Sequence, residues 1–300
     1  MDDGTTALSD DGAPALADGG TRALSDGATA LSDGAMALGG AATRAPAPTA
    51  RRAGRMSWLA AGLRGAASRR VVEPEILGLR HLVLPGDVCL DIGAAYGMYS
   101  YPLAELVGPH GAVHSFEPQR KAHSLLRAGR ALAGANRIQL TRSGVGRAAG
   151  EFEMALPVRF GLPINGHAHL QDGLVAVHDE RWHTRMKRIR VPVTTVDEVC
   201  AHRGIERVHF MKVDVEGFEP GVVAGAAGVI ARDRPSLLLE IEDRHLARYG
   251  TTAAEFSASL RAMGYSMHTW RGDRWQTAER VELGVRNYLF ATEAAWQRTA

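Results

Sequence analysis

Asp91, Gly93 and Gly97 stand in Val88-Cys89-Leu90-Asp91-Ile92-Gly93-Ala94-Ala95-Tyr96-Gly97, a short apolar strand that runs into an acidic, glycine-spaced turn and then a helix. Glycine at 93 and 97 lets the backbone turn sharply and approach a ligand, and the free N–H groups of the helix that follows can hold an anion. The spacing narrows the ligand. A dinucleotide fingerprint is G-x-G-x-x-G, whereas this loop reads D-x-G-x-x-x-G with an acid at the strand end. That acid would repel a pyrophosphate but not the ammonium group of S-adenosylmethionine, so a methyl donor is expected over NAD. A second apolar run, Ala112 to Phe116, ends in Glu117-Pro118. In a doubly wound sheet Glu117 then sits at the neighbouring strand tip, where its carboxylate can accept hydrogen bonds from both ribose hydroxyls. The expected cofactor contacts are Asp91, Gly93, Ala94, Gly97, Glu117, Val145 in the turn Ser143-Gly144-Val145-Gly146, and Asp214.

Further strand ends carry Asp214 and Glu240 or Glu242, and ligands of open α/β sheets bind outside those carboxyl ends. Methyl transfer from a sulfonium is a single displacement that needs alignment and exclusion of water. An alcohol nucleophile must also lose its proton, to a base or with the help of a divalent metal. Asp214, Glu216 and His167 are the expected catalytic groups, with His169 a further base candidate. Strand-end acids also cap helices, a role open to Glu216 and Glu219 before Pro220. Asp214 with Glu240 or Glu242 offers the oxygen ligands that suit Mg²⁺. His167 and His169 form half a zinc set without a Cys or third His at suitable spacing, so no metal site is assigned. The run Arg181 to Arg190 holds five Lys or Arg and one Trp, fitting either an anionic substrate or a solvated hairpin face.

These groups need a scaffold, and from Val71 onward strands and helices alternate. Helices are expected over Met98 to Val107, over Gln119 to Gly134 with Ala122, Leu125, Leu126 and Leu132 facing the core, near Thr195 to His202, after Glu219, and over Thr252 to Met263. Strands are expected at Ile138–Thr141, Val208–Val213, Ser236–Ile241, Tyr265–Trp270 and Asn287–Ala291. Phe152, Met154, Leu156 and Ile189, Val191, Val193 alternate as two strands able to pair as an antiparallel insertion. This order predicts an α/β fold: a Rossmann-like class I methyltransferase with a seven-stranded, mostly parallel sheet, an antiparallel late strand and an inserted β-hairpin.

The predicted boundaries are 1–50, 51–84 and 85–295, with the insertion at 150–195. Residues 1–50 repeat Ala-Leu at 7, 15, 23, 30 and 37 and carry seven aspartates and no aromatic, too little apolar surface to offset ordering entropy. Met36 and Met56 are alternative candidate starts. Residues 51–70 hold six arginines and no acid; a leader helix packing Trp58 on the domain is expected rather than a membrane-surface helix. A net charge of +2 does not suggest a nucleic-acid binder. Neither a secretory signal nor an apolar run of membrane length occurs, and Cys89 and Cys200 have no metal spacing, so a cytoplasmic protein is expected.

With Asp91-Ile92-Gly93-Ala94, Phe116-Glu117-Pro118, Lys212-Val213-Asp214-Val215-Glu216-Gly217-Phe218-Glu219 and Leu239-Glu240-Ile241-Glu242 in that order, the chain resembles the FkbM family of methyltransferases over roughly 85–292. The resemblance implies S-adenosylmethionine dependence and O-methylation of hydroxyls on secondary metabolites or on sugars of glycolipids and polysaccharides. It would carry cofactor roles onto Asp91, Gly93, Gly97 and Glu117, and it makes the block from Lys212 to Glu219 part of the active crevice. The expected partner is a small-molecule or glycan hydroxyl, with no nucleic acid and no transmembrane segment; the inserted hairpin could mediate a homodimer. The competing readings are an RNA or protein methyltransferase, a non-catalytic binding module, and an NAD-dependent sugar-nucleotide oxidoreductase, the last lacking both G-x-G and a Tyr-x-x-x-Lys pair.

Overall fold

The computed structural model describes residues 50–159, 162–163, 169–170 and 185–298. The N-terminal repeat, His167 and the stretch 171–184 lie outside them. Strands β1 (Val88–Ile92), β2 (Ala112–Phe116) and β3 (Ile138–Thr141) are followed by a second group: β4 (Gly144–Val145), β5 (Gly150–Arg159), β6 (Leu162–Pro163), β7 (His169–Leu170) and β8 (Arg185–Thr194). The chain then returns to the first sheet with β9 (Phe210–Val213), β10 (Ser236–Glu240), β11 (Ser266–Arg271), β12 (Arg274–Thr277) and β13 (Asn287–Ala291). The helices are α1 (Ala50–Ser68), α2 (Ser100–Leu106), α3 (Arg120–Ala133), α4 (Val196–Arg203), α5 (Glu219–Ala224), α6 (Ala227–Asp233), α7 (Asp243–Leu246), α8 (Ala253–Ala262) and α9 (Glu293–Gln297), with a 3₁₀ segment at Pro74–His81.

The main sheet runs β12-β11-β13-β10-β9-β1-β2-β3. Its parallel half places Asp91 opposite both Ser115 and Lys212, and Ile92 opposite Phe116 and Val213. The chain positions after these strands, 93, 117 and 214, are thereby level at one sheet edge. Both faces are covered: Leu90, Met211 and Leu237 belong to one core, and Cys89, Phe210 and Leu238 to the other. That is why these strands read as continuous apolar runs. Late strand β13 inserts antiparallel between β10 and β11. An eighth strand, β12, joins the seven expected, paired to β11 across the turn at Gly272.

The inserted strands pair as their alternation predicts, with Phe152 opposite Val191 and Met154 opposite Ile189. Met154, Leu156, Val191 and Val193 bury a small core of their own together with Phe218. The predicted turn Ser143 to Gly146 is in part a short strand, since Gly144–Val145 pairs in parallel with β8. Capping boxes at Thr195/Glu198 and Thr252/Glu255 start α4 and α8.

Three expectations are corrected. Leu125 and Leu132 are exposed, because α3 turns Ala122, Leu126 and Ala133 inward and leaves the other leucines on its outer face. Trp58 does not pack on the domain: it is 81% exposed, while Ala60 and Ala67 are buried and Met56 and Leu63 pack against the core. The helix after the glycine loop begins only at Ser100, so residues 93–99 form consecutive turns rather than a helix N-terminus aimed at a ligand.

Candidate active site

The end of β1 has room for nothing but glycine at 93. Its φ is +83°, and a Cβ there would lie 1.8 Å from the carbonyl oxygen of Asp214. The Gly93 and Ala94 N–H groups both donate to the Phe116 carbonyl at 3.0 Å, pulling the turn over β2. Gly97, with φ +90°, closes the loop against Tyr101 and Leu126, where a Cβ would clash at 2.6–2.7 Å. A cavity opens above this turn, lined by Gly93, Ala95, Phe116, Glu117, Ser143, Val145, Met154, Asp214, Glu216 and Arg286, among others. Of the predicted site residues the structure therefore brings five to the lining of one cavity: Gly93, Glu117, Val145, Asp214 and Glu216. Asp91, Ala94 and Gly97 are not among the lining residues, and His167 is outside the described residues.

Asp91 is buried and accepts a hydrogen bond from the Ser100 hydroxyl at 2.5 Å, with Ser115 a further 2.9 Å from that oxygen. Burial pushes its carboxyl up to about 6, and the Ser100 bond opposes the rise. Glu117 accepts from the backbone N–H groups of Ala95 (2.9 Å) and Gln119 (2.7 Å), one on each oxygen. Those bonds aim it across the turn. Burial pushes its carboxyl up to about 7, with Asp91 and Asp214 adding to the rise against the two backbone bonds.

A charged network extends the lining. Lys212, 1% exposed in the middle of β9, places its Nζ 3.1 Å from Asn287 Oδ1, 3.5 Å from Asp214 Oδ2 and 5.2 Å from the Tyr99 ring centre. Burial alone would lower its basicity; Asp214, Glu73, Glu240 and Asp91 outweigh it and hold the ammonium above its usual range. Burial likewise works against the charge on Asp214, and Lys212 overcomes it, keeping that carboxyl below the usual range. Glu73 ties the network to the 3₁₀ segment by accepting from Tyr99 (2.6 Å) and Asn287 (3.0 Å).

On the far side, buried Glu240 is paired with Arg286, which also pairs with Glu242. Burial, then the neighbouring Asp214 charge, pushes Glu240 up to about 10. Glu216 sits in the left-handed region with φ +57° and faces His245 Nδ1 at 3.3 Å. Burial pushes Glu216 up to about 8 and His245 down to about 4. Glu219 is not the cap that the sequence allowed, since the N-cap of α5 is Phe218 without a side-chain bond; it accepts from the Val215 N–H at 2.9 Å and so fixes the preceding turn.

Sequence reading missed Glu73, Tyr99, Asn287, Arg286 and His245. A lysine inside an otherwise apolar strand was a signal that acids must surround it. Nothing in the sequence showed that Asn287 would be its neighbour.

A mostly parallel sheet with two acids and a glycine turn at its carboxyl edge is the layout of a class I, S-adenosylmethionine-dependent methyltransferase. Residues 91–267 match the methyltransferase FkbM domain, and the chain belongs to that family. It is 26% identical over 224 residues to the AMB antimetabolite synthetase AmbE of Pseudomonas aeruginosa; the match takes in 66% of this chain and 10% of that protein. The chain thus spans about a tenth of the length of this curated relative. Among solved structures it is similar to methyltransferase FkbM from Methylobacillus flagellatus (17% identity, TM-score 0.42, 68% of this chain and 43% of that one). It is also similar to Aeropyrum pernix fibrillarin in complex with S-adenosyl-L-methionine (13% identity, TM-score 0.41, 73% of each chain). Among the described residues no helix is long and apolar enough to cross a membrane.

Proposed function

We propose that the protein transfers the methyl group of S-adenosylmethionine to a hydroxyl of a sugar, glycolipid, polysaccharide or secondary metabolite. The observation that carries the reading is the Asp214 carboxylate, held by Lys212 in the lining of the same cavity as Gly93 and Glu117. S-adenosylmethionine supplies the electrophilic methyl group. The residues present fit it: both Glu117 oxygens keep a lone pair beyond their backbone bonds for the ribose hydroxyls, and the bare Gly93 turn admits the methionine portion. Asp91, behind the turn, favours the ammonium, and Val145 and Phe116 give the cavity an apolar side. Asp214 then takes the acceptor proton as the oxygen–carbon bond forms, while the carbon–sulfur electron pair stays with sulfur. Glu216 lines the same cavity and is available to the acceptor step. The free, buried thiols Cys89 and Cys200 fit a reducing, cytoplasmic setting.

The reading is tested by incubating the chain with methyl-labelled S-adenosylmethionine and separate panels of sugars, polyketide alcohols, peptides and RNA. Labelled methyl ethers on the alcohols are expected. Label confined to RNA or to nitrogen would overturn it.

The Glu117 role has its own test. Ribose hydroxyls are held best by the ionised carboxylate, and burial pushes that group up to about 7. Affinity for S-adenosylhomocysteine should therefore rise with pH and level off above that value, being about tenfold weaker at pH 6 than at pH 8. Glu117→Gln should flatten the profile, and an unchanged pH dependence in that variant would place the titrating group elsewhere.

A further inference from the structure

We propose that Glu216, Glu240 and His245 form a binding site for a divalent first-row cation of the Mn²⁺ type, beside the cavity and open to an acceptor hydroxyl. One donor atom from each lies within 4.8 Å of the others. Donors around a single such ion, each about 2.1 Å from it, stand up to about 4.2 Å apart, so small side-chain rotations close the site.

Three separate elements deliver the set. Glu216 comes from the turn after β9, Glu240 from the last position of β10, and His245 from α7. The turn is pressed onto α7: Gly217 has φ +104°, and a Cβ on it would lie 2.6 Å from the His245 backbone. Only glycine there lets the Glu216 turn and the His245 helix approach this closely. Glu240 is 3% exposed, with Oε1 taken by Arg286 and a side-chain hydrogen bond to Asp214; the independent sign of a missing partner comes from His245. His245, 2% exposed, has its Nδ1 3.3 Å from Glu216 Oε2 without hydrogen-bond geometry. A buried ring nitrogen left in that state is costly, and a cation would satisfy it.

The donor chemistry selects the ion. One imidazole with two carboxylates is too nitrogen-rich for Mg²⁺, which takes oxygen donors, and lacks the thiolates of a structural zinc centre. Glu216 also lines the cavity, so the ion would face the space next to Asp214. A cation there would lower the pKa of an acceptor hydroxyl, a need that one carboxylate base leaves unmet. This catalytic part rests on the methyltransferase crevice described above; metal binding itself does not.

The test is an electron paramagnetic resonance titration of chelator-treated protein with Mn²⁺, run without any S-adenosyl compound, alongside calorimetry with S-adenosylhomocysteine. One bound Mn²⁺ per chain is expected. His245→Ala and Glu216→Gln should each weaken binding by more than about 100-fold, since even outer-shell partners are worth about 10–100-fold. Circular dichroism melts establish that each variant is folded, and Glu216→Gln, on a partly exposed turn, keeps the test open if His245→Ala does not fold. Absence of bound Mn²⁺ in the folded wild-type chain, or equal binding in both variants, overturns the site. S-adenosylhomocysteine bound without Mn²⁺ would sink this site alone, and Mn²⁺ bound without S-adenosylhomocysteine would sink the crevice reading alone.

Discussion

Lys212→Met is expected to destabilise the fold by about 3–5 kcal/mol, the range for removing one partner from a buried charge cluster. Methionine matches the length of the aliphatic stem, so little cavity forms and the loss isolates the charge. What remains is a set of acids facing one another: Asp214 at 3.5 Å from the vanished ammonium, with Glu73, Glu240 and buried Asp91 around it. Asn287 also loses the donor at 3.1 Å to its side-chain oxygen, and the Tyr99 ring loses the cation 5.2 Å from its centre. A fall in Tm on the order of 10 °C should accompany the change for a domain of this size. Denaturant unfolding of both proteins decides the matter. A variant within about 1 kcal/mol of wild type would mean that the lysine carries no charge the fold depends on.

The same residue marks the limit of what the chain shows before it folds. The Gly93 turn and Glu117 were legible because each is a local demand: a positive φ allows little except glycine, and a carboxylate after an apolar strand has one edge of the sheet to occupy. The hairpin β5/β8 was legible through its strict alternation, Phe152, Met154, Leu156 against Ile189, Val191, Val193. By contrast, Asn287 reaches Lys212 only because β13 inserts between β10 and β11, a choice made by the whole sheet. His245 and Arg286 arrive at the site through the same tertiary steps, on a four-residue helix and at the end of a loop. On α3, periodicity counted Leu125 and Leu132 as core, but a helix with more leucines than its buried stripe can hold leaves some in water. Trp58 fails for a related reason: α1 turns Met56, Ala60, Leu63 and Ala67, at helical spacing, toward the domain and leaves the indole off that face.

Asp214→Asn should lower kcat by about 10²–10⁴, the usual weight of a positioned general base, once an acceptor is in hand. The substitution keeps the size of the side chain and removes only its charge and its capacity to take a proton. Two roles are open to this residue, since it lines the cavity between the Gly93 turn and the Glu216 turn. If it serves the acceptor, S-adenosylhomocysteine affinity should move by less than about threefold, which is under 1 kcal/mol, while kcat collapses. If it instead holds the ammonium of the methyl donor, the affinity falls and kcat at saturation is kept. Lys212 is left with Glu73, Glu240 and Asp91 around it, so the melt of the variant should show a smaller loss than Lys212→Met. Calorimetry and single-turnover rates on one preparation separate the two outcomes. The position of the carboxylate, 3.5 Å from a buried ammonium that cannot follow a substrate out of the site, favours the first, because it fixes the base before the acceptor arrives.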